Sequence, residues 1–153
     1  MNKTTIVLIF DNDWKILLCM KKRWFWMGKW NWPGWKVKEN EEIIIAAKRE
    51  LEEETGIVIE SNKFISKWKI YFSFQDKSEW DQEMSIFIVN WNELKAIETD
   101  EMKPKWFKIW EIPYNEMWEA DKYWIPRVIN WDCVEYKILF DVNWKLLNIE
   151  LIK

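Results

Sequence analysis

Residues 35–57, WKVKENEEIIIAAKRELEEETGI, decide how the rest of the chain is read. Ile44, Ala47 and Leu51 recur at spacings of three and four, which predicts a helix over about 41–55 with that face toward the core. Asn40 suits an N-cap, Glu41 and Glu42 suit the positive start of a helix, and Gly56 suits a left-handed C-terminal cap. Glu50, Glu53 and Glu54 fall at i, i+3 and i+4 on a different face. In isolation that arrangement is unfavourable, because acidic side chains crowd the end of the helix where the macrodipole prefers cations. Glu52 adds to the crowding, and Lys48 and Arg49 relieve only part of it. A divalent cation relieves more, since clustered carboxylates are the ligands that hard Mg²⁺ or Mn²⁺ prefers. Taken alone, a glutamate run reads more readily as a solvated acidic face.

Outward from this segment, Thr5–Phe10 and Lys15–Met20 read as strands, as do stretches near 64–74, 83–90 and 105–109. A loop is expected over 21–39 and a second helix near 121–130, followed by strands at Glu135–Phe140 and Lys145–Leu151. Strands mixed with two helices, with no repeat, linker or low-complexity tract, predict one α+β domain spanning residues 1–153 with a mixed sheet.

Composition narrows the function. The net charge of −3 weighs against a stable nucleic-acid partner. No apolar run reaches the ~18 residues of a membrane span, and MNKTTIVLIF does not resemble a signal peptide. Cys19 and Cys133 stand alone, so a reduced, cytoplasmic protein is expected. The absence of histidine removes Ser-His-Asp and Cys-His chemistry, leaving carboxylates, lysines or a carboxylate-bound metal.

Two counts are abnormal: three glycines where average usage gives about eleven, and fifteen tryptophans. Several tryptophans stand where turn chemistry asks for glycine. Asp11-Asn12-Asp13-Trp14 and Asp141-Val142-Asn143-Trp144 each separate two strands, and Asn130-Trp131-Asp132 is a third such site. Genetic codes differ in reading UGA as glycine or as tryptophan. Nine positions are candidates for glycine in the natural protein: Trp14, Trp24, Trp26, Trp32, Trp35, Trp68, Trp80, Trp131 and Trp144.

The full spacing of the opening stretch resembles the Nudix hydrolase signature, G-x5-E-x7-R-E-U-x-E-E-x-G-U with U aliphatic. Glu41, Arg49, Glu50, Leu51, Glu53, Glu54, Gly56 and Ile57 match in register, and only the first glycine fails, at Trp35. The resemblance covers nearly the whole chain and is closest to the MutT-homologue branch acting on oxidised purine nucleoside triphosphates. KKRWFWMGKWNWPGWKV (residues 21–37) resembles that branch's KKRGFGxGxWNGFGGKV, placing Trp24, Trp26, Trp32 and Trp35 opposite glycines and Trp30 opposite a true tryptophan. The segments 99–107 and 111–126 resemble its later parts, so Trp106, Trp118 and Trp124 read as genuine.

The resemblance implies an α/β/α sandwich with the motif helix against a mixed sheet. It also implies Mg²⁺ held by Glu50, Glu53 and Glu54, with the Gly34 carbonyl and Glu101 as further ligands. Glu53 or Glu54 would serve as general base, Arg49 would orient the glutamates, and Lys21 would face the phosphates. For the base pocket it points to Phe25, Asn31, Phe72, Met102, Trp118 and Asp121. Phe25 and Phe72 fit ordinary core packing equally well. Ala120 departs from the branch, whose members carry aspartate there beside the one matching Asp121. The expected function is Mg²⁺-dependent pyrophosphohydrolysis of nucleoside triphosphates such as 8-oxo-dGTP by a monomer. A Nudix hydrolase of another nucleoside diphosphate derivative and a non-catalytic nucleotide-binding module are the alternatives.

Overall fold

The computed structural model describes residues 1–22, 29–92, 98 and 102–153, with Lys21 described in its backbone only. Eight strands and two helices follow in the order β1 (Asn2–Phe10), β2 (Lys15–Lys21), β3 (Trp30–Asn31), α1 (Ile43–Thr55), β4 (Ile65–Phe74), β5 (Gln82–Asn90), β6 (Met102–Lys108), α2 (Asp121–Ile129), β7 (Val134–Phe140) and β8 (Leu146–Leu151). All eight strands join one mixed sheet, ordered β3-β2-β1-β5-β4-β7-β8, with β6 on β2. The β1–β5 and β4–β7 pairs are parallel; β1–β2, β2–β6, β4–β5 and β7–β8 are antiparallel.

Alternation along the strands sorts side chains into two layers. Val7, Ile9, Leu17, Phe87 and Val89 pack with Ala47 and Leu51 of α1. Ile6, Leu8, Ile16, Leu18, Ile86 and Ile88 pack with Trp124, Ile125 and Val128 of α2. The helices therefore cover opposite faces, giving the α/β/α sandwich.

The strands near β1 set up the site. Only Ile9 and Phe10 of β1 pair with β2. Beyond that point β2 turns to β3, pairing Cys19 with Asn31 and Met20 with Trp30. The freed length of β1 is taken by loop 33–37. Thr5 N donates to Trp35 O (2.9 Å), Val7 N to Pro33 O (2.8 Å), and Val37 N to Lys3 O (3.0 Å).

Some expectations shift in detail. α1 starts at Ile43, not near 41, and Asn40 is not its N-cap but sits in a left-handed turn at φ 62°. Asparagine tolerates that backbone, and the position before the helix falls to Glu42. The sixth strand is longer than expected because Pro104, which reads as a strand breaker, lies on an edge strand where a missing N–H costs little. The two-residue β3 lies inside the expected loop.

The backbone bears directly on the tryptophan question. Trp14, Trp68, Trp131 and Trp144 have φ of 61°, 73°, 68° and 64°. Each occupies a motif that favours glycine. In the first hairpin Asp11 Oδ1 accepts from Asp13 N (2.8 Å) and Lys15 N (2.9 Å), and Trp14 takes the left-handed place that closes the turn. The second hairpin repeats this, with Asp141 Oδ1 accepting from Asn143 N (2.8 Å) and Lys145 N (2.9 Å) around Trp144. At the end of α2, Trp131 N donates to Val128 O and Asp132 N to Arg127 O, both 3.0 Å. That is a Schellman cap with tryptophan at the position where glycine usually stands. Trp68 lies in the β4 bulge between Ser66 and Lys69. Trp32, Trp35 and Trp80 have no positive φ, and Trp24 and Trp26 fall outside the described residues.

Trp14 and Trp131 leave 68% and 60% of their surface exposed, so their rings gain little packing in return for the strain. Trp14→Gly and Trp131→Gly should each raise the unfolding free energy by about 1 kcal/mol, seen as a higher urea midpoint at unchanged slope. Separated as they are, the two gains should add. Peptide masses from the natural source should show glycine at 14 and 144; tryptophan at both would end the decoding explanation.

Candidate active site

α1 presents its acidic face to loop 33–41, and Arg49 organises the junction. Its Nε donates to Glu41 Oε2 (2.8 Å) and its Nη2 to Glu41 Oε1 (3.0 Å), a two-point pairing. Nη1 donates to Glu50 Oε1 (2.9 Å) and Glu53 Oε2 (3.1 Å), and Nη2 also reaches Lys36 O (3.1 Å). The guanidinium holds the Glu41 carboxyl at about 2, helped by the Lys38 N–H that Glu41 Oε1 accepts at 3.0 Å. The same partners hold Arg49 firmly protonated.

Gly34 fixes the other side. Its φ is 130°, and a β-carbon there would lie 2.4 Å from Thr5 O, so only glycine allows the loop to lie this close to β1. Gly34 N donates to Glu54 Oε2 at 3.2 Å, which ties the loop to the helix.

A cleft of about 210 Å³ opens beside this junction. Gly34, Glu50 and Glu54 line it, and so do Asn31, Phe72, Met102, Trp118 and Asp121. Glu53 points instead toward Arg49 and leaves 55% of its side chain exposed. Glu101 and Phe25 lie outside the described residues, as does the Lys21 side chain, although the Lys21 backbone pairs with Met102. Hard anionic oxygens at Glu50 and Glu54, beside a glycine whose backbone comes close, suit a divalent cation in donor chemistry. Among the described residues no three acidic or cysteine side chains converge as a finished cage, since Arg49 engages both Glu50 and Glu53.

At the aromatic end, hydrogen bonds fix each polar group. Trp118 Nε1 donates to Asn31 Oδ1 (3.0 Å), and Asn31 Nδ2 donates to Lys29 O (3.1 Å). Asp121, at the start of α2, accepts from Trp118 N (3.2 Å) and from Trp124 Nε1 (3.1 Å). Burial pushes the Asp121 carboxyl up to about 7 despite these donors and the charge of Lys29. Ala120 is fully buried and does not line the cleft.

Sequence reasoning assigned no role to Trp124, which orients Asp121, or to Gln82 and Thr5, which also line the cleft. Gln82 and Thr5 sit on strands with no motif around them. Trp144, expected to be glycine, lines the cleft as well. Trp32 has a buried Nε1 that is unpartnered among the described residues, but so do the partly buried Trp91 and Trp106, so that feature does not sort foreign from genuine tryptophans.

The chain matches the NUDIX domain over residues 2–128. It is 40% identical over 125 residues to the oxidized purine nucleoside triphosphate hydrolase of Danio rerio, covering 82% of this chain and 78% of that one. The protein of the same name from Mus musculus is 37% identical with the same coverage. The MutT mutator protein of Bacillus halodurans superposes with a TM-score of 0.86 over 99% of this chain and 98% of that one, at 24% identity, a likeness of fold. Fold and comparisons define the class, a Nudix α/β/α sandwich. The chain belongs to the Nudix hydrolase family.

Two pH responses follow from the buried and paired carboxyls. Glu41 has a folded pKa below its ordinary 4.5, so its contribution is complete above about 4.5 and is lost as pH falls toward 2. Glu41→Gln should be less stable at neutral pH and should lose less stability across that acid window in urea titrations. Asp121 has a folded pKa above its ordinary 3.8, so the folded state holds a proton that the unfolded state releases between about 4 and 7. Its burial therefore costs more as pH rises through that window, and the stability of Asp121→Asn relative to the parent should climb from pH 4 to 7 and then level off.

Proposed function

We propose that the protein is a Mg²⁺-dependent pyrophosphohydrolase of nucleoside triphosphates, taking oxidised purines such as 8-oxo-dGTP to the monophosphate and pyrophosphate. The observation that carries this is one cleft lined both by carboxylates with a close-packed glycine and by an aromatic ring bonded to Asn31 and Asp121. That combination suits a molecule carrying both phosphates and a flat polar-edged base. The activity for which the Danio rerio and Mus musculus relatives are named supports the same substrate class.

Glu50, Glu53 and Glu54 would hold the cation, with the Gly34 carbonyl and Glu101 completing the set. When bound there, Mg²⁺, or Mn²⁺ in its place, would supply charge neutralisation for the phosphate oxygens and the departing pyrophosphate. Water adds to one phosphorus of the chain, the P–O bond to pyrophosphate breaks, and the water's proton passes to Glu53 or Glu54. Arg49 acts by position: it sets the direction of Glu50 and Glu53 while anchored to Glu41 and the loop. Lys21 would face the phosphates, and Phe25 would contribute to the base pocket. Trp118 stacks on the base, while Asn31 and Asp121 read its edge. Phe72 and Met102 supply apolar walls. The protein acts as a monomer on a soluble nucleotide, in the cytoplasm and without a nucleic-acid partner.

A second reading, hydrolysis of another nucleoside diphosphate derivative, is favoured by Ala120, which leaves one carboxyl where the purine-acting branch has two. The intact glutamate set argues against a non-catalytic nucleotide-binding module.

Pyrophosphate release from normal and oxidised nucleotides with Mg²⁺ tests the proposal, using protein with glycine at 35 and 144. Glu53→Gln and Glu54→Gln should each lower turnover, by about 10²-fold or more for the one serving as base, and chelation should abolish it. A folded protein that turns over no nucleotide would remove the enzymatic reading.

A further inference from the structure

Trp144 stands at the left-handed position of the β7–β8 hairpin, yet its ring does not point to solvent with the turn. It lies 4.9 Å from the Trp118 ring, centre to centre, at an interplanar angle of 34°. Phe74 and Phe140 pack against it at 4.6 and 5.9 Å. Trp118 is therefore already in contact with a flat aromatic bicycle at the distance one stacked ring takes from another. Trp144 also shares the cleft with Asn31 and Asp121, the groups placed to read a base.

We propose that the side chain at position 144 sets the openness of the base subsite: Trp144 competes from within for the Trp118 ring, and a residue without a ring there admits the purine. The inference rests on the nucleotide reading above, because it assumes that the Trp118 end receives the base. It has two independent supports. One is the ring contact itself. The other is the turn, whose φ of 64° asks for glycine at the same position. A single substitution thus relieves the backbone and clears the subsite.

The β1–β2 hairpin supplies the control. Trp14 occupies the same position of the same aspartate-closed turn but is exposed and does not line the cleft. Trp14→Gly relieves equivalent strain without changing the subsite. Trp144→Asn removes the ring while keeping a residue that tolerates left-handed backbone, and guards against loss of folding in Trp144→Gly. Calorimetric binding of 8-oxo-dGMP without metal, together with KM and kcat for 8-oxo-dGTP with Mg²⁺, should be compared across the parent and these variants.

Trp144→Gly and Trp144→Asn are expected to tighten 8-oxo-dGMP binding and lower KM by tenfold or more, with kcat changed by less than about twofold. Trp14→Gly should raise thermal stability and leave Kd and KM unchanged. Equal affinity in the parent, Trp14→Gly and both Trp144 variants would overturn the inference. Tighter binding without turnover in any variant would retain the inference and remove the hydrolase. Turnover without a gain in affinity would do the reverse.

Discussion

Arg49 donates to three carboxylates and one carbonyl from a single guanidinium, and the rest of the site is arranged around that cation. Four glutamates in the second half of α1 would otherwise repel one another against an adverse helix dipole. Anchored to Glu41 and to Lys36 O, Arg49 converts that repulsion into a link between helix and loop. The two-point contact with Glu41 gives the link direction as well as charge, which a lysine could not reproduce. The loop in turn is held against β1 by backbone hydrogen bonds that need Gly34 to have no β-carbon. Helix, loop and strand are thus locked by one cation and one glycine, and the cleft opens along the lock.

Different parts of this were legible in the sequence to different degrees. The helix and its acidic face could be read because both are periodic, and β1 and β2 could be read as apolar runs; that the sheet is covered on two faces followed from the family resemblance and is seen in the packing. The Glu41–Arg49 pairing could not be read from periodicity, since the two residues lie eight apart and Glu41 precedes the helix. Asn40 was read as a helix cap because Asn serves at N-caps and in left-handed turns alike, and local sequence does not separate the two. β3 is too short to carry a pattern and exists because β2 parts from β1. The role of Trp124 as the donor that orients Asp121 depends on a helical turn packing onto the sheet, which a linear reading does not supply.

The tryptophans illustrate why backbone and side chain must be read separately. Trp118 and Trp124 have ordinary backbones, and their indole N–H groups bond to Asn31 and Asp121. Trp14 and Trp131 have left-handed backbones and largely exposed rings, so they carry strain without compensating burial. Trp144 joins the strained backbone of the second group to a well-packed ring, because its hairpin happens to hang over an aromatic wall. Turn chemistry alone identified Trp14, Trp131 and Trp144. It could say nothing of Trp144's ring, since the ring's surroundings come from β4, β7 and the segment before α2.

That wall also bears on how a base could be told apart from its relatives. Asn31 Oδ1 is committed to Trp118, and its amide already donates to Lys29 O, so its capacity to read a ligand is partly spent. Ala120 adds no polar group. If the cleft takes a base, its discrimination would fall mainly on Asp121, whose two oxygens already accept from Trp118 and Trp124. With its carboxyl raised to about 7, Asp121 near neutrality is divided between a form that donates and a form that only accepts. The neutral form suits a base edge offering a carbonyl or ring nitrogen; the ionised form suits one offering N–H. A subsite with one such group reads a polar edge less strictly than a subsite with two, and stacking on Trp118 must then supply more of the affinity. Under the proposed function, selectivity among purines would accordingly be tied to how much of the Trp118 ring the β7–β8 turn leaves uncovered.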